Sequence, residues 1–193
     1  MRMFGAILGI FLCFFAQQGH AEPETWYWGG HAGWGLSAYT RDFKVSQDTA
    51  DHHSNQFYEF SFHMPFQPTE LLGFSVSGQT DKFDYGRGHE VHVSQNMVGA
   101  SYVHSVGPEP FVGSLLRADA GAGELKLKSR YIDDSKLESV TTKSEKGSAF
   151  LVGWGYGWLI GKDTRILMLV GGQHVEAKSG AGNGYSTSFG LKF

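Results

Sequence analysis

The chain has 193 residues and a formal net charge of −3, and 27 of its residues are glycine against only 5 prolines. Aromatic residues make up 15% of the sequence, and the mean hydropathy is −0.24. Collagen would need glycine at every third position, and a disordered chain would be poor in aromatic residues, so both classes are excluded. The absence of a basic patch argues against nucleic acid as a partner. After residue 21 no stretch approaches the roughly 18 apolar residues of a membrane-spanning helix, which excludes a helical membrane protein.

The first 21 residues have the organisation of a secretory signal peptide. Arg2 supplies the positive charge, Phe4 to Ala16 forms the apolar core, and the small residues Gly19 and Ala21 precede a predicted cleavage after Ala21. An anchoring helix is the alternative, but the apolar run is too short to span a bilayer comfortably. We therefore divide the chain into a signal peptide, 1–21, and one domain, 22–193. Cys13 is the only cysteine and lies in the first segment, so we expect no disulfide in the mature chain.

Eight segments of the mature chain alternate apolar residues with small or polar ones, which is the period of a β-strand with one apolar face. In chain order they are 26–38, 56–66, 71–81, 91–105, 111–125, 148–160, 164–177 and 184–193. The sixth segment shows the pattern most clearly, because Trp154, Tyr156 and Trp158 alternate with glycines. The seventh begins with apolar residues on both faces, so its orientation stays open.

The connections between these segments alternate in length. Long polar connections are predicted at 41–55, 83–90, 126–146 and 178–183, and short ones at 67–70, 106–110 and 161–163. An up-and-down antiparallel barrel with its long loops at one end has this pattern, and transmembrane barrels have short periplasmic turns and longer external loops. A soluble barrel that binds an apolar ligand is the alternative, and it would reverse the facing of the strands.

The facing of the strands distinguishes the two kinds of barrel. The apolar face carries the large side chains, for example Phe60 and Trp154, whereas the opposite face carries glycine, serine and charged residues. A barrel of eight strands has little room inside, so the small face belongs inside and the large apolar face outside. Lipid requires such an apolar exterior and a closed sheet without free edges. The sequence therefore predicts an all-β fold, an eight-stranded antiparallel up-and-down transmembrane β-barrel.

Three segments make the sequence similar to a known family. They are Trp28 to Gly35, with its alternating glycines, the strand Gly153 to Trp158, and a last strand that ends in Phe193. With these features the mature chain resembles the small eight-stranded outer-membrane barrels of Gram-negative bacteria, the OmpA-like and OmpX-like barrels of the porin family. The resemblance implies localisation in the cell outer membrane, and contacts with outer-membrane lipid and lipopolysaccharide.

The resemblance also implies an assembly signal at the end of the chain. In this family the outer-membrane assembly machinery reads a terminal aromatic residue preceded by apolar residues at alternate positions. Phe189, Leu191 and Phe193 match that pattern. The sequence stops after the eighth strand, so the peptidoglycan-binding domain of full OmpA-type proteins is not expected.

Polar residues on the small face are the candidates for a site inside the barrel. They are His31, Glu59, His63, Asp81, Arg117, Asp119 and Lys192. A carboxylate inside a narrow barrel is costly unless it is paired, so we expect Glu59, Arg117 and Asp119 to form an interior ion-pair network. Such a network favours a structural plug over a conducting pore.

The function that follows is an outer-membrane barrel with a structural, surface-interaction or limited-permeability role. A lipid A-modifying enzyme is the alternative, with His174 and Glu176 as base and orienting group and Ser179 or Ser186 as nucleophile. The deacylase pattern has serine two positions after the histidine, where this sequence has Glu176. No catalytic residue is therefore assigned, and no cofactor is expected.

The two longest predicted loops are candidates for surface contacts. Loop 41–55 contains His52 and His53 near Asp48 and Asp51, which we interpret as solvated loop residues rather than a metal site. Loop 126–146 mixes basic and acidic residues, as exposed mobile loops do. Extended external loops carry binding functions, so both loops are candidates for contact with a surface ligand or with lipopolysaccharide.

Overall fold

The computed structural model describes residues 26–46, 49–132, 138–160 and 163–193. The proposed signal peptide with Cys13 and the cleavage after Ala21 lie outside the described residues and stay predictions. Asp48 lies outside them as well. Among the described residues, no helix is both long enough and apolar enough to cross a bilayer.

Eight antiparallel strands form a closed barrel in which each strand pairs with its neighbours in sequence and the first pairs with the last. They are β1 Tyr27–Tyr39, β2 His52–Gln67, β3 Glu70–Asp84, β4 His89–Ser105, β5 Gly113–Ile132, β6 Glu138–Ile160, β7 Thr164–Ala177 and β8 Gly180–Lys192. A short 3₁₀ helix, Arg41–Phe43, follows β1. The predicted all-β, up-and-down barrel of eight strands is confirmed.

The strands extend further than predicted at the end of the barrel where β1 finishes. β5 continues to Ile132 and β6 begins at Glu138, so the prediction of a loop over 126–146 is wrong for 126–132 and 138–146. The pairing of β6 with β5 reaches Glu138, whereas its pairing with β7 starts at Gly147. The β5–β6 hairpin therefore projects beyond β7. Loop 41–55 is likewise too long, because β2 begins at His52.

The apolar face of the strands lies outside and the small polar face lies inside. Exposed large side chains include Trp34, Leu36, Phe60, Val152 and Trp154 on the outer wall. The ambiguous β7 turns Arg165, Leu167, Leu169 and Gln173 inward, and Val170 outward. This distribution is the reverse of that in a soluble barrel, where polar residues cover the outside.

Aromatic side chains lie at both ends of the apolar outer wall. At the end where β1 begins, the rings of Trp28 and Phe193 are 5.1 Å apart and those of Tyr156 and Trp158 are 4.9 Å apart. Near the opposite boundary lie other exposed aromatic side chains, namely Trp34, Tyr58, Phe150 and Tyr185. An apolar band between two aromatic girdles is the exterior of a barrel that crosses a membrane.

The wall between β1 and β2 is paired along only part of its height. The ladder runs from Tyr27 opposite His63 to Gly33 opposite Phe57 and then stops. Above this point side chains connect the β1 side with β2 and β3. The bridging hydrogen bonds are Asn55 Nδ2 to Ser37 Oγ (2.8 Å), Gln79 Nε2 to Leu36 O (3.3 Å) and the Tyr39 hydroxyl to Asp81 Oδ2 (2.5 Å).

Candidate functional site

A layer of polar side chains fills the middle of the barrel around Arg117. Residues two apart on a strand share a face, so Arg117 and Asp119 of β5 both point inward, as does Glu59 of β2. The Arg117 guanidinium forms ion pairs with Glu59 and Asp119, and all three side chains are buried. Its Nε lies 2.9 Å from Asp119 Oδ1 and 3.1 Å from Oδ2. One cation thus connects carboxylates from two separate strands.

Serine hydroxyls supply further hydrogen bonds to these carboxylates. Ser75 and Ser101 donate to the two oxygens of Asp119, at 2.7 and 2.6 Å, and Ser61 donates to Glu59 at 2.5 Å. Buried charges are tolerated when they are paired and hydrogen-bonded, and these carboxylates meet both conditions. The alternation of β2, β3 and β4 already places these serines on the inward face, although the sequence analysis did not single them out.

The layer continues to His63 and Lys192, two further interior candidates from the sequence. His63 Nε2 lies 2.8 Å from Ser101 Oγ, and Lys192 Nζ donates to Ser61 Oγ at 2.5 Å. Lys192 therefore reaches Glu59 through one hydroxyl. Lys192 thereby adds a second basic side chain to the layer, beside Arg117. His31 is buried opposite Glu59 on the neighbouring strand.

An apolar cluster closes the barrel on the side of the polar layer where β1 begins. Its members are Tyr27, Leu71, Val103, Phe111, Leu115, Leu167 and Leu169. Phe111 adopts a φ of 58°, a left-handed conformation that non-glycine residues rarely adopt. Its ring lies 5.5 Å from that of Tyr27 and 5.4 Å from that of His63. The strained turn before β5 thereby places an aromatic ring across this end of the barrel, which we call the lower plug.

A larger apolar cluster closes the opposite end. The strands contribute Tyr39, Phe57, Phe83, Val91, Val93, Met97, Leu125, Ala149, Leu151, Val175 and Ala177. Phe43 of the 3₁₀ helix completes this cluster, which we call the upper plug, and its side chain is fully buried. The burial of Phe43 was not predicted, because alternation carries no information about a residue in a loop.

Ionic contacts hold the 3₁₀ helix over the upper plug. Lys143 of β6 pairs with Asp42, and its ammonium lies 5.2 Å from the centre of the Phe43 ring. Two residues further, Glu145 accepts hydrogen bonds from the Ser179 hydroxyl (2.5 Å) and backbone N–H (2.9 Å). The bond to Asp42 raises the pKa of Lys143, and the bonds from Ser179 lower the pKa of Glu145. β6 thus contacts two connections at this end of the barrel, the one after β1 through Lys143 and the turn between β7 and β8 through Glu145.

The histidines predicted to lie in a solvated loop belong to β2, so that prediction is wrong for His52 and His53. His53 Nε2 lies 2.9 Å from Asp81 Oδ1, and its ring stacks on Phe83 at 4.6 Å between centres. The alternation of β2 continues through position 53 and turns this side chain inward. Over the described ranges, no three residues among His, Cys, Asp and Glu are grouped to hold a metal ion.

The pair considered for catalysis, His174 and Glu176, lies on the outer side of β7. His174 Nδ1 is 2.7 Å from Asn183 Oδ1, and its Nε2 is 3.3 Å from Glu176 Oε2. Ser179 is bonded to Glu145, and Ser186 lines an interior cavity beside Glu59. The hydrogen bonds of His174 within the described residues therefore involve no serine hydroxyl.

The three residues of the proposed assembly signal point outward at the end of the chain. Phe189, Leu191 and Phe193 are all exposed. The Phe193 backbone exchanges hydrogen bonds of 2.9 and 3.1 Å with Trp28, which completes the pairing of the last strand with the first.

Known structures share this fold at low sequence identity. Ail, the attachment invasion locus protein of Yersinia pestis, solved with the heparin analogue sucrose octasulfate, superposes with a TM-score of 0.61 at 13% identity, over 87% of this chain and 99% of Ail. Neisserial surface protein A superposes with a TM-score of 0.52 at 11% identity, over 89% of this chain and 98% of that protein. No protein-family model matches the sequence, and the search of curated proteins found no match. The resemblance to small eight-stranded outer-membrane barrels is therefore confirmed for the fold.

Proposed function

We propose that the chain is an outer-membrane β-barrel of a Gram-negative bacterium with a structural and surface-interaction role and, at most, limited permeability. The closure of the barrel interior carries this proposal, because apolar plugs lie on both sides of the buried ion pairs. The cavity beside Glu59 and Arg117 has a volume of about 10 Å³, which is room for about one water molecule. A continuous aqueous path needs far more space than this.

The exterior and the end of the chain support the location. The outer wall is an apolar band with aromatic residues at both boundaries, which is the surface that a transmembrane barrel presents to lipid. Export would depend on the predicted signal peptide, 1–21. Insertion would depend on the assembly machinery, which would bind the last strand through Phe189, Leu191 and Phe193. Outer-membrane lipid and lipopolysaccharide would then surround the wall.

The projecting end of the barrel is the proposed surface for external ligands. It combines the β5–β6 hairpin with the connection that carries Asp42 and Phe43. The similar fold of Ail was solved with a heparin analogue, and that likeness supports an anionic ligand as one to test here. Residues 126–146 carry several lysines, which suits such a ligand.

Three measurements test the proposal. The refolded barrel should migrate differently on a gel before and after heating, and the chain produced in cells should fractionate with the outer membrane. In planar bilayers it should give no steady conductance, while an open porin measured in parallel does. Large, stable channels would refute the closed interior, and recovery in the soluble periplasmic fraction would refute the location.

No enzymatic activity is part of the proposal. His174 is hydrogen-bonded to Asn183 and Glu176 rather than to a nucleophile. We expect the wild-type chain to release no fatty acid from lipid A. A release that disappears in a folded His174→Ala variant would establish the enzyme instead.

A further inference from the structure

A groove crosses the outer wall of β3, β4 and β5 just beyond the apolar band. Its volume is about 360 Å³. The residues that line it are Thr80, Glu90, His92, Ser94, Lys126, Lys128 and Arg130. All of them occupy outward positions of these strands near the end of the barrel where β1 finishes, and none belongs to the polar layer or to either plug.

The pairing of the three strands explains the shape of this groove. One row across the sheet consists of Thr80, Ser94 and Lys126, and the next consists of Lys82, His92 and Lys128. Short side chains on β3 and β4 form the floor at the lower row, and long basic side chains of β5 form one side. A ligand lying on the floor would therefore meet ammonium groups along its length.

The groove has a positive charge that its own residues do not neutralise. With Lys82 it has three lysines, Lys82, Lys126 and Lys128, against one carboxylate, Glu90. Glu90 Oε1 lies 2.9 Å from Lys82 Nζ, and Glu90 Oε2 lies 3.6 Å from His92 Nε2. The Glu90 carboxylate therefore pairs with these two residues and not with the lysines of β5. In the part of the chain that the structure describes, Lys126 and Lys128 form no ion pair.

One row, Gly78, Asn96 and Glu124, lies between the groove and the apolar wall, and the Glu124 carboxylate accepts a hydrogen bond from the Ser144 hydroxyl. Beyond that row the same three strands are apolar. The row of Val76, Val98 and Ala122 lies two rows from that of Thr80, and a row of Phe74, Ala100 and Ala120 follows. Phe74, Val76 and Val98 are exposed on the outer wall. An amphipathic molecule could thus place an acidic head in the groove and its hydrocarbon chains against the wall below.

We infer that this groove binds the phosphorylated sugar head group of a glycolipid in the outer leaflet. Phosphate oxygens suit lysine and arginine donors, and a volume of about 360 Å³ accommodates a phosphorylated sugar. The apolar rows selectively favour a lipid over a soluble sugar phosphate, since only the lipid contacts both surfaces. The inference rests on the proposed outer-membrane location.

Native mass spectrometry of the full chain, refolded in detergent, tests the assignment with bisphosphorylated lipid A as the probe. Wild type should bind it at least tenfold more tightly than dephosphorylated lipid A, and added salt should weaken the binding. A Lys126→Gln/Lys128→Gln variant should lose about thirtyfold in affinity, since each lysine near an anionic surface contributes about fivefold. Lys146→Gln/Lys178→Gln removes two exposed lysines outside the groove and should bind as wild type does.

Three outcomes would overturn the inference. The first is equal binding by the two double variants, and the second is no preference for the phosphorylated lipid. The third is equal affinity for the deacylated bisphosphorylated disaccharide, which would leave a soluble anion as the ligand. Gel migration and outer-membrane fractionation of each variant are measured separately. If the wild-type barrel lies in the outer membrane but shows no preference for phosphorylated lipid A, only the inference about the groove is refuted. If the wild-type chain is not found in the outer membrane, the proposed function is refuted.

Discussion

Tyr58 extends across Gly78 on the outer wall of the barrel. The two residues face each other on β2 and β3, and a Cβ atom at position 78 would lie 2.3 Å from Cζ of the tyrosine ring. Beyond the glycine, the Tyr58 hydroxyl donates to Asn96 Oδ1 of β4 at 2.8 Å. One aromatic side chain therefore connects three strands at the boundary of the apolar band, and glycine is what leaves room for it.

Gly78→Ala should consequently destabilise the barrel, although alanine is ordinarily no worse than glycine in a strand. The new methyl group displaces the Tyr58 ring and its hydrogen bond, at a cost of about 1–2 kcal/mol. The measurement is the urea midpoint of the barrel folded in lipid vesicles. Gly172→Ala is the matched control, because a Cβ there would lie 3.5 Å from the Tyr185 ring, an ordinary contact. Equal midpoints for the two variants would contradict the role of Tyr58.

Arg117→Met should remove the partner of two buried carboxylates. Breaking a buried ion pair from one side costs about 3–5 kcal/mol, because the remaining charges stay uncompensated. Neutralising them as well, in Glu59→Gln/Arg117→Met/Asp119→Asn, should recover most of that loss in urea unfolding. Lys178→Met, at an exposed turn, controls for the loss of a positive charge. A triple variant no more stable than the single one would show that unpaired charge is not the cause.

Phe43→Ala should release the connection after β1 from the barrel mouth. Truncating a fully buried phenylalanine costs about 3–5 kcal/mol. Because Phe43 lies in the connection after β1, this cost should shift that connection towards an open conformation and leave the strands paired. Trypsin should then cleave after Arg41 or Lys44 at least tenfold faster, while the barrel still shifts on heating. Tyr131→Ala, an exposed aromatic at the same end, should leave the cleavage rate unchanged. Identical rates for both variants would mean that Phe43 does not fasten this connection.

The Glu145 carboxyl should titrate below its ordinary pKa of 4.5, because the Ser179 hydroxyl and N–H favour its ionised form. A lowered pKa means that this contact stabilises the folded state above the ordinary value and is lost as the pH falls through the lowered one. Carbon-13 NMR of the labelled side chain measures the midpoint. Ser179→Ala should move it up towards 4.5, whereas Ser139→Ala, at an exposed position, should not. An unchanged midpoint in Ser179→Ala would rule out the hydroxyl as the cause.

Phe193→Ser should lower the amount of barrel assembled in cells several-fold while leaving refolding from urea possible. The side chain is proposed to act during assembly, whereas the backbone bonds to Trp28 persist in the variant. Quantitative blotting of outer-membrane fractions measures the effect. Phe150→Ser changes an equally outward phenylalanine away from the last strand and should assemble better. Equal losses for both would point to general destabilisation.

The alternation of residues was enough to predict the number of strands, their order and the facing of every strand except β7. It failed at the strand ends, because we took the charged residues of 126–146 as the beginning of a loop. In β5, however, Leu125 stays buried inside while Lys126 and Lys128 face outward. The outward residues change from apolar to charged where the wall leaves the apolar band, and the strand itself continues. A change in composition on one face therefore marks a change of surroundings.

The interior contacts depend on information that alternation does not contain. It places Glu59 and Arg117 on the inward face, but their meeting depends on how β2 and β5 are arranged around the closed barrel. Phe43 and Phe111 lie outside the strands, and their burial follows from turn geometry, including the left-handed conformation of Phe111. Residues of this kind become visible only once the tertiary structure is known.

The incomplete ladder between β1 and β2 gives the barrel one weak longitudinal joint. It is the shortest of the eight ladders between described strands, with 7 residue pairs, and above Gly33 side chains such as Asn55 replace main-chain hydrogen bonds. A main-chain bond survives any substitution except proline, whereas each of these side-chain bonds disappears with a single codon change. Evolution can therefore loosen or tighten the wall at this joint, near the outer boundary of the apolar band, without altering the rest of the cylinder.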